Sequence, residues 1–112
     1  MAIGDRTESR LGGPTQLGTT TTTIVTAAAG YADIIKQIII ANTDTVDRTV
    51  TLAIGSAATA ANRIMSALPI GANDLMVWDT AIVLNPGETL QGLSDTASKV
   101  NVTAVGWEKQ VS

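Results

Sequence analysis

Residues 32–42 read ADIIKQIIIAN and decide the fold class, because five of these eleven residues are isoleucine. β-Branched side chains are stiff at χ1 and pack well on a pleated surface. An extended strand divides the stretch into two faces: Ile34, Lys36, Ile38 and Ile40 on one, and Ile35, Gln37, Ile39 and Ala41 on the other. Both faces are largely apolar, so we expect a strand that is covered on both sides.

Further β-rich segments lie on both sides of this stretch, separated by turns of Gly, Asn, Asp and Pro. Residues 19–26 are almost entirely Thr, Ile and Val, and residues 100–107 alternate between apolar and polar side chains. Pro69 predicts that residues 64–70 form an edge strand or an irregular segment. Asn85-Pro86-Gly87 has the residue order of a type II turn. About eight short strands predict an all-β fold, an antiparallel two-sheet sandwich or jelly roll.

Residues 1–18 differ from the rest because they are rich in Gly and show neither strand nor helix periodicity. We therefore predict an extended N-terminal arm at residues 1–18 and a β-sandwich domain at residues 19–112. The arm is either a disordered terminus or a segment that becomes ordered on a neighbouring chain. Its spaced aliphatic residues favour the second, with both arginines pairing with carboxylates. The predicted partner contacts in the arm are Ile3, Arg6, Arg10, Leu11 and Leu17.

The chain lacks the usual residues for catalysis and metal binding. Its 112 residues include no His and no Cys, which removes the commonest acid-base groups, nucleophiles and metal ligands. The net charge is −3 and the basic residues are scattered, so we expect no nucleic-acid binding. The N-terminus has no apolar core of a signal peptide, and no apolar run is long enough for a membrane span. We expect no enzyme activity, no cofactor, no metal, no membrane contact, and synthesis in the cytoplasm.

Two weak motifs have plainer interpretations. Asp44 and Asp47 share one loop and could contact Ca²⁺, but their spacing is far from that of an EF-hand. A solvated loop is the simpler interpretation. Asn101-Val102-Thr103 matches a glycosylation sequon and is also an ordinary alternating strand, which we favour.

Aromatic residues make up only 3% of the chain: Tyr31, Trp78 and Trp107. Trp78 and Tyr31 could stack on sugar rings, as in a carbohydrate-binding module. Tryptophan also fills cores and is enriched at interfaces. We favour the core or an interface for each Trp, and Trp107 is the better candidate for a partner contact. A core with so few aromatics leads us to expect that assembly with other chains adds stability.

The order of several segments resembles that of small β-sandwich virion proteins of tailed bacteriophages. The segments are Arg10-Leu11-Gly12-Gly13-Pro14, Ala29-Gly30-Tyr31, residues 35–42, residues 51–55, Val77-Trp78, residues 84–90 and residues 100–106. The family includes capsid decoration (cement) proteins and small tail or connector components. The resemblance implies a structural role on a virus particle and a symmetric oligomer, and it carries over no catalytic residues.

The first functional prediction is therefore a trimeric capsid decoration protein that clamps adjacent major capsid subunits on the outside of the shell. A small tail or head-tail connector component is the second. A carbohydrate-binding module that uses Trp78 and Tyr31 is the third, from a different class. An enzyme comes last.

Overall fold

A computed structural model describes residues 9–55 and 62–111 of the chain. These residues form an all-β fold in which every strand pairing is antiparallel. None of their segments is a helix long and apolar enough to cross a bilayer. The strands are β1 (Ser9–Gln16), β2 (Thr22–Thr26), β3 (Tyr31–Asn42), β4 (Arg48–Ile54), β5 (Arg63–Ile70), β6 (Leu75–Leu84), β7 (Thr89–Ser94) and β8 (Val100–Gln110).

The eight strands form two four-stranded sheets. Sheet 1 has the order β1-β8-β3-β6 and sheet 2 the order β2-β7-β4-β5. The first strand therefore pairs with the last, the second with the seventh, the third with the sixth and the fourth with the fifth. A long hairpin wrapped in this way is a jelly roll. The predicted all-β, two-sheet fold is confirmed.

The core lies between the two sheets and consists of aliphatic side chains. Fully burying one such side chain contributes about 1.5–3 kcal/mol relative to leaving it in water. The predicted alternation along β8 is confirmed: Val100, Val102 and Ala104 share one face, which points inward and is completely buried. The core cluster is Leu17, Ile24, Val25, Ala27, Ile35, Ile38, Ile40, Val50, Leu52, Ile70, Leu84, Leu90, Val100, Val102 and Ala104.

Strand β3 departs from simple alternation at Lys36. Its register shifts between Ile35 and Gln37 against both β6 and β8. The shift puts Ile35 and Ile38 on the same inward side. The prediction that Ile34 and Lys36 share a face with Ile38 and Ile40 was therefore wrong. Gly106 makes this irregularity possible, because a Cβ there would overlap the carbonyl oxygen of Ile34.

Residues 9–17 belong to the sandwich, so the prediction of an arm was wrong for them. Strand β1 pairs with β8 from Ser9 to Gln16, with two register shifts along the way. Those shifts explain why no strand periodicity is visible in this segment. Leu17 follows β1, is only 1% exposed, and donates its backbone N–H to the carbonyl of Val100. Residues 1–8 of the predicted arm lie outside the described residues.

Two local predictions are confirmed. Gly87 has a φ of 85°, and the N–H of Glu88 donates to the carbonyl of Asn85, as in a type II turn. Strand β5, which contains Pro69, lies at the edge of sheet 2. The turn brings β6 directly into β7, and thus joins the two sheets.

Candidate protein-interaction face

One face of sheet 1 points away from the core and is largely apolar. On β6 it is formed by alternate residues that are all exposed, and on β3 and β8 by residues that alternate with fully buried ones. We call this surface the outer face. It consists of Ile34, Lys36, Gln37, Ile39 and Ala41 on β3, Leu75, Val77, Asp79, Ala81 and Val83 on β6, and Asn101, Thr103, Val105 and Trp107 on β8.

The most exposed aliphatic residues of the outer face lie on the edge strand β6. Leu75 is 58% exposed, Val77 46% and Val83 51%. Ile39 lies directly opposite Val77, and Ile34 opposite Val83, so each exposed side chain has an apolar cross-strand neighbour. Scattered surface aliphatics are ordinary, but a contiguous apolar patch marks an interaction surface. On β3 the outer-face residues Ile34, Ile39 and Ala41 are partly exposed within the described part of the chain, so the covering of this side stays a prediction.

Polar groups occupy the middle of the outer face. Gln37 Nε2 donates a hydrogen bond to Asp79 Oδ1 at 3.0 Å. Lys36 Nζ lies 5.8 Å from the ring centroid of Trp107, within range of a cation–π interaction. These side chains surround a shallow depression of about 250 Å³, which Thr80 and Val105 also line. A partner on this face would meet an apolar surface with one central polar region that fixes its orientation.

Strand β6 is the more accessible edge of the two in sheet 1. Its ten residues contain no Pro, and its backbone pairs only with β3 among the described strands. The opposite edge strand, β1, contains Gly12, Gly13 and Pro14 and has two register shifts. Proteins protect sheet edges by Pro, bulges and charged residues. Strand β6 has one register shift against β3 and one charged residue, Asp79.

The predicted partner contacts do not form one site. Leu17 is in the core and 1% exposed, so it is buried away from any partner; Leu11 is partly buried against the core, and its role in binding stays a prediction. Arg10 is exposed at the β1 edge, opposite Val105 of the outer face. Trp107 lies on the outer face, and its role in binding stays a prediction. Ile3 and Arg6 lie outside the described residues.

Sequence reasoning did not select Leu75, Val77 or Val83, although a signal was present. The β6 sequence LMVWDTAIVL is apolar in both alternating positions. That pattern predicts a strand covered on both sides. Because sheet 1 packs against sheet 2 on one face only, the other apolar face of β6 stays open among the described residues.

The two aromatics of the carbohydrate-binding interpretation do not share a surface. Trp78 lies opposite Ile38 of β3 and packs against the core. Tyr31 is seven residues before Ile38 on the same strand, which is roughly 20 Å at the usual rise per residue. A single sugar ring therefore cannot stack on both side chains.

The acidic loop between β3 and β4 uses its carboxylates to hold the backbone. Asp44 Oδ2 accepts a hydrogen bond from Arg48 Nε at 2.8 Å, and this bond holds the pKa of Asp44 below its usual value. Asp47 Oδ1 accepts from the backbone N–H of Ala72. In residues 9–55 and 62–111, no three His, Cys, Asp or Glu side chains are grouped so that they could hold a metal ion. These contacts agree with a structural loop.

Comparisons with known proteins add little to this picture. No family model matches the chain, and no curated protein matches it. One similar solved chain comes from the structure of infectious bursal disease virus, Gt strain. It is 12% identical with a TM-score of 0.35, and the match covers 96% of this chain and 29% of that one. This protein thus spans less than a third of that chain's length.

Proposed function

We propose that this protein is a structural component of a tailed-phage virion, a capsid decoration protein that holds adjacent major capsid subunits together. The single observation that carries its adhesive role is the apolar outer face at the free edge of β6. A chain without His or Cys, with exposed Leu75, Val77 and Val83 on one sheet, is suited to binding proteins by surface contact. The location on a virus particle rests on the resemblance of the sequence segments.

The outer face suits a protein partner for physical reasons. It combines branched aliphatic side chains with Trp107, and tryptophan is enriched among residues that dominate binding energy. The Gln37–Asp79 hydrogen bond is already formed, so binding does not have to order these two side chains. The free backbone groups of β6 also allow a partner strand to extend sheet 1.

The central experiment places a charge on the outer face. Val77→Lys replaces an aliphatic side chain in the middle of the exposed row on β6 with an ammonium group. We expect binding to purified undecorated shells to weaken about tenfold or more, because the apolar contact is lost and a charge is buried. Co-sedimentation with the shells measures the change, and thermal unfolding checks that the variant is folded.

Val46→Lys is the matched control. Val46 is 49% exposed, close to the 46% of Val77, but it lies in the loop between β3 and β4. This variant should bind shells as the unmodified protein does. Equal binding by Val77→Lys and the unmodified protein would contradict the proposal.

A deletion that tests partner contacts of the N-terminal segment must be shorter than the predicted arm of residues 1–18, because β1 begins at Ser9. Removing residues 1–18 would also remove β1 and the buried Leu17, so we expect it to destabilise the fold as well as to remove the proposed contacts. Removing residues 1–8 tests the proposed contacts at Ile3 and Arg6. If these residues clamp the partner, the shortened protein should keep its melting temperature and lose shell binding.

The finer parts of the proposal have direct tests. Light scattering after size-exclusion chromatography measures whether the chain forms the proposed trimer. Immunogold labelling of purified virions distinguishes a capsid position from a small tail or head-tail connector component. Label over the tail or the portal vertex would replace the decoration role with the connector role.

A further inference from the structure

Asp33 is a buried carboxylate that the proposed function does not use. It lies near the start of β3, opposite Leu84 of β6 and Glu108 of β8. The residue as a whole is only 3% exposed. Its Oδ1 atom is buried and has no hydrogen-bond partner among the described residues. Buried carboxylates are usually paired or hydrogen-bonded, because an isolated buried charge is costly.

Among residues 9–55 and 62–111, the groups next to Asp33 do not compensate its charge. Glu108 is the cross-strand neighbour on β8 and is itself acidic, and the β6 neighbour is the apolar Leu84. Lys109 follows Glu108, lies opposite Ala32, and by strand alternation points to the other face. Glu88, in the turn between β6 and β7, accepts a hydrogen bond from the N–H of Asn85. The Arg48–Asp44 and Arg48–Asp95 ion pairs lie beyond the other end of β3 from Asp33.

A proton fits this site better than a metal ion does. A cation would need to reach an oxygen that has almost no solvent-accessible surface, and to gather several further oxygen ligands. The described residues offer only the second carboxylate, Glu108, at this place. Burial, and to a smaller extent the negative charge of Glu108, raise the pKa of Asp33 above its ordinary value.

We propose that buried Asp33, beside the carboxylate of Glu108, is a proton-binding site that stabilises the end of sheet 1 when Asp33 is protonated and weakens it when Asp33 is charged. The folded protein holds the proton of Asp33 more tightly than the unfolded chain does. Stability is therefore complete at a pH below the range in which Asp33 titrates in the unfolded chain. It is lost as the pH rises through the range in which Asp33 titrates in the folded protein.

The effect is confined to one part of the fold. Asp33 pairs with the last residue of β6 and with the C-terminal part of β8. Ionisation of Asp33 should therefore loosen this corner of sheet 1 before the rest of the sandwich. The neighbouring outer-face residues Ile34, Val83 and Trp107 lie at the same corner.

The test compares the pH dependence of thermal unfolding in the full-length protein and in Asp33→Asn. The amide has nearly the shape of the acid and carries no charge. At neutral pH we expect the melting temperature of Asp33→Asn to exceed that of the unmodified protein by roughly 4 °C or more. The difference should shrink in acid, where Asp33 of the unmodified protein is neutral and the charge-dependent part of the difference disappears. A lower melting temperature of Asp33→Asn at neutral pH would overturn the proposal.

A second measurement does not depend on that variant folding well. Carbon-detected NMR follows the carboxyl resonance of Asp33 directly through a pH titration of the unmodified protein. We expect its midpoint to lie above those of the exposed carboxylates, and to fall in Glu108→Gln, which removes the nearby negative charge. Asp79→Asn, on the outer face, is the control and should leave the Asp33 midpoint unchanged. A midpoint in the range of an exposed aspartate would contradict the proposal.

Discussion

The two edge strands of sheet 1, β1 and β6, differ in a way that their sequences do not suggest. Strand β1 looks like a polar, Gly-rich tail in the sequence, yet it is bonded to β8 and ends at the buried Leu17. Strand β6 looks like an interior strand, yet three of its aliphatic side chains are about half exposed. The hydrophobicity of a segment therefore does not by itself decide whether its side chains are buried in the core or exposed to a partner. The contacts formed in the tertiary structure decide it: Leu17, after β1, is buried in the core, whereas Leu75, Val77 and Val83 of β6 point away from the core.

Replacing Leu17 and Leu75 by Ala should give the largest difference in the free energy of unfolding between two variants. Leu17→Ala leaves a cavity in the core and should lower the free energy of unfolding by about 2–5 kcal/mol. Leu75→Ala removes a side chain that is 58% exposed and should change it by no more than about 0.5 kcal/mol. Urea denaturation measures both values. Similar losses of unfolding free energy in the two variants would contradict the placement of Leu17 in the core and Leu75 on the surface.

Two glycines of the N-terminal region test how closely β1 packs on the second sheet. A Cβ at Gly12 would overlap the carbonyl oxygen of Ile24, whereas a Cβ at Gly18 would have no atom within 4 Å. Gly12→Ala should therefore cost about 1–3 kcal/mol of unfolding free energy, because the strand must shift. Gly18→Ala is the control and should be neutral or slightly stabilising. A neutral Gly12→Ala would show that β1 is held loosely.

Replacing Gln37 and Gln16 by Ala should give the smallest changes in the free energy of unfolding. Gln37 donates to Asp79 across β3 and β6, and Gln16 of β1 donates to the carbonyl of Ser98. Both bonds are exposed to solvent, so each change to Ala should cost only about 0.5 kcal/mol of unfolding free energy. Gln37→Ala should in addition weaken shell binding if the polar centre of the outer face orients the partner. Loss of stability without any change in binding would remove Gln37 from the interaction face.

Turns and strand identity could be predicted because they depend on local chemistry. Pro86 and Gly87 have the dihedral preferences of a type II turn, and the isoleucines around residue 38 favour extended backbone. The candidate interaction face could not be predicted in the same way. Leu75 and Leu84 lie on one apolar strand, but one is exposed and the other is fully buried. Nothing in their immediate sequence distinguishes them.

The sequence by itself determined the β-strand content, the positions of the turns, and the absence of His and Cys chemistry. These properties follow from side-chain shape and composition, which are local. Only the tertiary structure decided that residues 9–17 join sheet 1, that the register shift at Lys36 changes which isoleucines face inward, and that β6 is left at an edge. The reason is that pairing and burial join residues far apart in the chain, such as Ser9 with Gly106, so no single segment carries the information.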